Sequence, residues 1–400
     1  MVALDNSTSS NAANDTRIAI DALKAARTVV IKVGSALLVD DKNNTINQSW
    51  LAGISEDIAA LQASGASVIV VSSGAIALGS LNLGISQKKL QLEEKQAAAA
   101  AGQVTLAHAW MTALATHNIQ TAQILLSPDD TETRRRHLNA RATITALLSL
   151  GAVPVVNEND TVATAEIRFG DNDRLAARVA AMLSADMLVL LSDVDGLYSG
   201  NPHDDESARH IARVDHVTPA IMKMAGTANA SYASGGMVTK LEAARIATSA
   251  GCSMIICNGR DPRPLSALEA GARNTIFTAE ASPPTARKKW IAGALSPKGK
   301  LVIDDGAVSA LRKGRSLLPA GVTSIGGNFE RGDLIAVESR DGHVIGHGLS
   351  AYSAKDATLI KGHKSSEIEA LLGYRGRDEL IHADNIVMND NGVASDEEMR

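Results

Sequence analysis

Aromatic side chains are scarce in this 400-residue sequence, at 2% for Phe, Trp and Tyr together. Its cores must therefore be assembled from Ala, Val, Leu and Ile. Cysteine is almost absent: Cys252 and Cys257 are the only two, and they lie five positions apart in one apolar run. Residues at odd spacing on a strand face opposite ways, so these thiols argue for a reducing, cytoplasmic setting and not for a redox pair. No run reaches eighteen apolar residues, which excludes a membrane-spanning helix from the expected architecture. A basic excess is missing too, since the net charge is −5, and this argues against a general nucleic-acid binder. What remains, 45% hydrophobic and 21% charged, is the composition of a folded globular protein with room for two or three domains.

Short apolar runs alternate with longer helical patterns through the first 280 residues. Thr28 to Val33, Ser67 to Val71, Thr121 to Leu126, Val153 to Val156, Met187 to Leu191 and Met254 to Cys257 read as strands. Ser49 to Ser64, Leu90 to Thr116 and Leu241 to Ala250 read as helices. The alternation predicts an α/β fold with an open, mostly parallel sheet sandwiched by helices. Near residue 281 the pattern changes to short β-like runs punctuated by Gly and Pro, at 300–303, 321–325, 334–338 and 343–349. This predicts a small C-terminal β-rich domain. The expected boundaries are a disordered leader over 1–26, a catalytic-type α/β domain over 27–295, the β-rich domain over 298–376 and an acidic tail over 377–400. Between 298 and 376 there are 11 Lys and Arg against 9 Asp and Glu, too even a balance for a strong nucleic-acid footprint.

Several polar clusters sit where these strands end. Asn157-Glu158-Asn159-Asp160 follows an apolar run, with Gly170-Asp171-Asn172-Asp173 a little further on. In open α/β sheets that end of the strand is where ligands bind. The competing reading is turn and cap chemistry, for which Asn, Asp and Gly are equally suited. Lys32 lies inside a strand, just before Gly34-Ser35, where a buried ammonium would need an anion; an edge-strand lysine in water is the alternative. Ser72-Ser73-Gly74-Ala75 is either an anion-binding helix start or an ordinary N-cap. Residues 234–240, Ser-Gly-Gly-Met-Val-Thr-Lys, hold the parts of a phosphate cradle or form a flexible loop, and they do not match the Walker pattern. Ser192-Asp193 ends another strand before an Asp195-Gly196 turn. The run Arg134 to Arg136 reads as a solvated helix face.

Taken together, these segments resemble the amino-acid kinase superfamily and, within it, the glutamate 5-kinase family. The matching pieces run in family order: Val30 to Ser35, Ser72 to Ala77, Asn157 to Ala163, Gly170 to Asp173, Leu191 to Tyr198 and Gly235 to Lys240. The segment from about 298 is similar to a PUA domain, through Ser316 to Gly321 and Gly327 to Asp333. The resemblance implies phosphorylation of the L-glutamate side chain by ATP with Mg²⁺, the first step of proline biosynthesis. It also implies roles for the matched residues. Lys32 and Lys240 would contact the transferring phosphate, with Asp173 holding the lysines. Ser73, Asp160 and Asn172 would contact glutamate, with Gly74 and Asn157 nearby. Ser192, Asp193, Ser234, Gly235, Gly236, Met237, Val238 and Thr239, together with Lys32 and Lys240, would meet the nucleotide. No residue is assigned as a metal ligand. Proline as an inhibitor, a homo-oligomer and contact with a glutamate-5-semialdehyde dehydrogenase are further expectations; binding to RNA or a membrane is not expected. The alternatives are another carboxylate kinase on the same fold, or an RNA-binding adaptor built around the PUA-like part.

Overall fold

The computed structural model describes residues 6–40, 45–86, 90–162, 172–202, 204–205, 207–225, 236–292 and 297–389. The chain forms two compact units, residues 1–283 and 284–400.

The first unit is built on an eight-stranded sheet. Its strands are β1 (Thr28–Val33), β2 (Ser67–Ser72), β3 (Thr121–Leu126), β4 (Val153–Glu158), β5 (Met187–Ser192), β6 (Arg213–Val214), β7 (Ser253–Asn258) and β8 (Asn274–Phe277). They lie in the order β6-β8-β7-β5-β1-β2-β4-β3. The six from β7 to β3 are parallel; β8 is antiparallel to β7 and carries β6 at the edge. The expected open, mostly parallel sheet is therefore present. The chain builds outward from β1 to one side through β2, β3 and β4, then returns to the other side through β5 and β7. The direction reverses at β1, and this switch point is where an open α/β sheet leaves a crevice beyond its strand ends.

Alternation along the strands supplies two cores. Val29, Ile31 and Val33 join Val68, Val70, Val153 and Val155 on one face. That face is covered by α1 (Asn6–Ala25), α2 (Gln48–Ala63), α3 (Ala75–Asn82) and α4 (Leu92–Ala115). Val30, Ile69, Val71, Val156, Leu188 and Leu190 line the other. There α5 (Arg134–Ser149), α6 (Asn172–Leu183) and α7 (Met237–Ser249) pack. Cys257 joins the first core and Cys252 the second; both are buried free thiols, and burial pushes Cys257 up to about 12. Helices α3 and α4 approach so closely that a Cβ on Gly79 would lie 1.6 Å from the Ala98 carbonyl oxygen, and one on Gly102 would lie 1.8 Å from that of Ala75. Gly79→Ala is expected to force the helices apart and destabilise the unit by about 1–3 kcal/mol. Thermal unfolding measures this directly, and an unshifted midpoint would refute the close approach.

Two boundary expectations need correction. The leader is not disordered throughout: Ala19, Leu23 and Ala26 from its second half are buried in the first core, with Ile18 and Ala22 packed beside them. The spacing of these five residues is helical, and the Ser- and Asn-rich start of the segment concealed it. Nor does the C-terminal unit end at 376. Its sheet comprises β9 (Gly299–Ile303), β10 (Val322–Gly327), β11 (Leu334–Ser339), β12 (Val344–Leu349) and β13 (Ile386–Met388), ordered β10-β9-β11-β12-β13. Strand β13 completes the edge against Gly346 to Gly348, and Leu380, Ile381 and Ile386 enter the core beside Phe329 and Tyr352. A three-residue strand after charged residues carries too little periodicity to be read from sequence.

Candidate active site

Lys32 and Val30 share one side of β1, the side covered by α6 and α7. An isolated ammonium would be costly there. Asp173, in the first turn of α6, meets it: Lys32 Nζ lies 2.6 Å from Asp173 Oδ1. Lys240, in the first turn of α7, approaches the same carboxylate, with Nζ 3.2 Å from Oδ2. All three are buried, at 8%, 1% and 5% exposure for Lys32, Asp173 and Lys240. Burial pushes the Asp173 carboxyl up, but the two ammonium groups outweigh it and hold the group below the ordinary carboxylate range. The stabilisation from this pairing is present above the unfolded carboxyl value near pH 4 and is lost as pH falls through the depressed folded value. Two ammonium groups gathered on one buried carboxylate suit an anionic ligand.

Asn172, the neighbour of Asp173, organises a second cluster at the ends of β2 and β4. Its Nδ2 donates to Ser73 Oγ at 2.8 Å and to Asn157 Oδ1 at 2.9 Å. Asn157 Oδ1 also accepts from the Glu158 amide at 2.9 Å. Gly74 turns the chain into α3 with φ 113°, a left-handed conformation that favours glycine. Beneath it Trp110 Nε1 donates to Ser72 Oγ at 2.9 Å, fixing α4 under the strand end. Three buried polar atoms here have no hydrogen-bond partner among the described residues: Asn157 Nδ2, Asn172 Oδ1 and Asp160 Oδ1. One buried donor and two buried acceptors of this kind call for a partner that supplies the complement. Burial, and secondarily the nearby Glu158 charge, pushes the Asp160 carboxyl up to about 7.

The third cluster lies across β1, at the ends of β5 and β7. Ser192 Oγ donates to Asp193 Oδ1 at 3.1 Å, and the Ser192 carbonyl accepts from the Gly259 amide at 2.7 Å, joining the two strand ends. Gly236 precedes α7, whose first turn holds Met237, Val238 and Thr239. Thr239 Oγ1 stands 3.0 Å from Asp173 Oδ2. Ser234 and Gly235, and Gly170 and Asp171 of the earlier motif, lie outside the described residues. The described residues thus form a lysine–aspartate–lysine bridge at the switch point, with one polar cluster at the β2–β4 ends and another at the β5–β7 ends.

Sequence reading missed two supports of this arrangement. Trp110 beneath Ser72 is one. The other is Asp57, buried in α2, which accepts from Arg263 Nε at 3.1 Å, the Leu265 amide at 2.8 Å and Ser266 Oγ at 2.6 Å. That clamp anchors the short helix Pro264–Glu269, which follows β7. A tryptophan within an Ala-rich helix and an acidic residue within an apolar helix face were the available signals.

Paired ammonium groups on one buried carboxylate, at the switch point of a mostly parallel sheet, fit a phosphotransferase of the α/β class. Family profiles agree: the amino acid kinase family matches residues 27–258 and the PUA domain matches residues 299–372. Curated relatives extend over most of the chain. The glutamate 5-kinase of Paramagnetospirillum magneticum is 59% identical over 92% of this chain and 99% of its own length. Glutamate 5-kinase 1 of Rhizobium meliloti is 57% identical over 92% and 93%, and the glutamate 5-kinase of Gluconobacter oxydans is 55% identical over 92% and 97%. The chain belongs to the amino acid kinase family, in its glutamate 5-kinase branch, and carries a C-terminal PUA domain.

Proposed function

We infer that this enzyme transfers the terminal phosphoryl group of ATP to the side-chain carboxylate of L-glutamate, giving γ-glutamyl phosphate and ADP, the first step of proline biosynthesis. The observation that carries this reading is the bridge in which one buried carboxylate, Asp173, holds both Lys32 and Lys240. Glutamate is already ionised at neutral pH, with an unperturbed value near 4.3 and about one molecule in 500 protonated at pH 7. The nucleophile needs no general base. The obstacle is repulsion: two unit charges 4 Å apart repel by about 4 kcal/mol at an effective dielectric near 20. Phosphoryl transfer is governed by positioning and charge stabilisation, and the two lysines supply both. Asp173 sets their positions and abstracts no proton.

The pocket of Ser73, Asn157, Asp160 and Asn172 takes the amino-acid end of glutamate, its ammonium group toward Asp160 and Asn172. Ser192, Asp193 and the loop 234–240 take the nucleotide on the other side of β1, so the reacting groups meet over Lys32. Mg²⁺ bound with ATP would add positive charge at its phosphates, beside the ammonium groups of Lys32 and Lys240. Proline, another amino acid small enough for the same pocket, acts as an inhibitor. Action in the cytoplasm as a homo-oligomer, and handover of the reactive acyl phosphate to glutamate-5-semialdehyde dehydrogenase, complete the proposal.

Trapping the acyl phosphate with hydroxylamine tests the reaction. Hydroxamate is expected with glutamate and Mg-ATP and not when glutamate is omitted. N-acetylglutamate and aspartate are expected to be poor acceptors, the first because acetylation removes the ammonium charge that faces Asp160. Equal turnover of N-acetylglutamate would overturn the acceptor assignment.

A further inference from the structure

We propose that Thr239 is a positioning residue for phosphoryl transfer, its hydroxyl replacing Lys240 at Asp173 Oδ2 when the lysine turns to the phosphoryl group. This rests on the kinase reading above, and it gives Thr239 a role separate from contact with the nucleotide. Thr239 Oγ1 stands 3.0 Å from Asp173 Oδ2 and 2.8 Å from the Gly236 carbonyl oxygen. A hydroxyl has one proton to donate, so it serves one of these acceptors at a time. Both acceptors lie within reach of one Oγ1 position, so only the hydroxyl proton has to turn, and Gly236 is the i−3 carbonyl to which a helical threonine commonly bonds.

The competition for Oδ2 gives the choice a consequence. Lys240 Nζ is 3.2 Å from Oδ2, while Lys32 Nζ is 2.6 Å from Oδ1. In the observed arrangement Lys240 covers Oδ2 and the threonine proton can rest on Gly236. In the transition state the Lys240 ammonium is drawn to the phosphoryl oxygens. Its departure would leave one oxygen of a buried carboxylate without a donor, which is costly at 1% exposure. A rotation of the Thr239 hydroxyl fills the gap. Lys240 then moves without stranding Asp173, and Asp173 keeps its hold on Lys32. A hydrogen bond that forms to its full strength only in the transition state lowers the barrier without tightening substrate binding.

Thr239→Val keeps the shape and removes the hydroxyl. It is expected to lower kcat about tenfold, the scale of one hydrogen bond to a charged group, with KM for ATP and for glutamate within about twofold of the wild type. Loss of a donor to the ionised carboxylate also favours its protonation, so the acid limb of the kcat profile should move to higher pH. Thr239→Ser should restore both rate and profile. Should the valine variant fail to fold, Thr239→Ala removes the same donor and is read in the same way. An unchanged kcat, a defect confined to KM for ATP, or a serine variant as impaired as valine would each overturn the proposal. If the wild type forms no hydroxamate from any acceptor, the kinase reading fails by itself. The positioning role is then read without substrate in Lys240→Ala, where the lysine no longer covers Oδ2, by ¹³C NMR of the Asp173 carboxyl, titrated down to the pH at which the fold is lost. Movement toward the protonated shift at higher pH in Lys240→Ala/Thr239→Val than in Lys240→Ala supports the role, and coincident titrations of the two overturn it.

Discussion

Lys240→Ala is expected to lower kcat about a hundred- to a thousandfold while leaving KM for glutamate within about threefold. The size follows from the cost of removing one preorganised donor that faces developing transition-state charge, about 2.7–4 kcal/mol. The direction follows from location. Lys240 starts α7 and touches Asp173 Oδ2, whereas the cluster proposed to receive glutamate is Ser73, Asn157 and Asn172. Lys32→Ala should behave alike, because Lys32 holds the other oxygen of the same carboxylate. The variants differ in what remains: Asp173 keeps one ammonium partner in each, so neither should unfold the protein. Steady-state kinetics with varied glutamate checks the division. A Lys240→Ala variant with near-normal kcat and a greatly raised glutamate KM would place that ammonium on the acceptor and not on the phosphoryl group.

The second large effect concerns Asp160, whose replacement should separate stability from recognition. Asp160→Asn is expected to raise KM for glutamate about ten- to a hundredfold, the scale of a hydrogen bond to a charged group, with a much smaller change in kcat. The same variant should be more stable than the wild type at pH 8 when no ligand is bound. The sign is set by the Asp160 carboxyl being pushed up to about 7, chiefly by burial, against an ordinary 3.8. Between those values the folded protein binds the proton more strongly than the unfolded chain, so stability falls as pH rises through this window. The penalty is complete above about pH 7 and absent below about pH 4. It comes to a few kcal/mol if the full shift is realised. Asparagine carries no charge and escapes it. Thermal unfolding at pH 4 and pH 8 tests this, with near-equal midpoints expected at the first and a higher midpoint for Asp160→Asn at the second. Recognition should show the opposite trend with pH. The ionised carboxylate is the form that pairs with an ammonium group, so glutamate KM should fall as pH rises from 6 to 8 in the wild type and stay flat in Asp160→Asn. A wild-type KM independent of pH over that range would separate Asp160 from the ammonium group.

Both predictions trace to buried charge, and the two carboxyls use it in opposite ways. Asp173 is the more deeply buried, yet two ammonium groups keep it ionised. Asp160 has Glu158 near it and an oxygen with no partner, so burial prevails. A ligand ammonium group would reverse the balance at Asp160, which is how an otherwise destabilising residue becomes a selective one.

Much of this was written in the order of residues along the chain. Short apolar runs bounded by Gly, Pro and Asn located the six parallel strands, because burial on both faces of a covered sheet demands near-continuous Val, Ile and Leu. Polar side chains directly after those runs marked the ligand end, since connections there are free of the core's demand for apolar groups. Lys32 stood out as a charge inside such a run. What the chain order could not supply was pairing. Asp173 is 141 positions from Lys32 and 67 from Lys240, and no local pattern says that one carboxylate holds both. Only the crossing of α6 and α7 over β1 makes that bridge. It also brings Thr239 to the same carboxylate, while folding leaves Asn157 Nδ2, Asn172 Oδ1 and Asp160 Oδ1 buried without partners among the described residues. The leader helix and β13 were likewise settled by tertiary packing, because short or weakly patterned segments gain their order from the surface they cover. Local periodicity determines which segments can be strands or helices; the energy of a buried charge depends on everything within a few ångströms, and that neighbourhood exists only once the chain has folded.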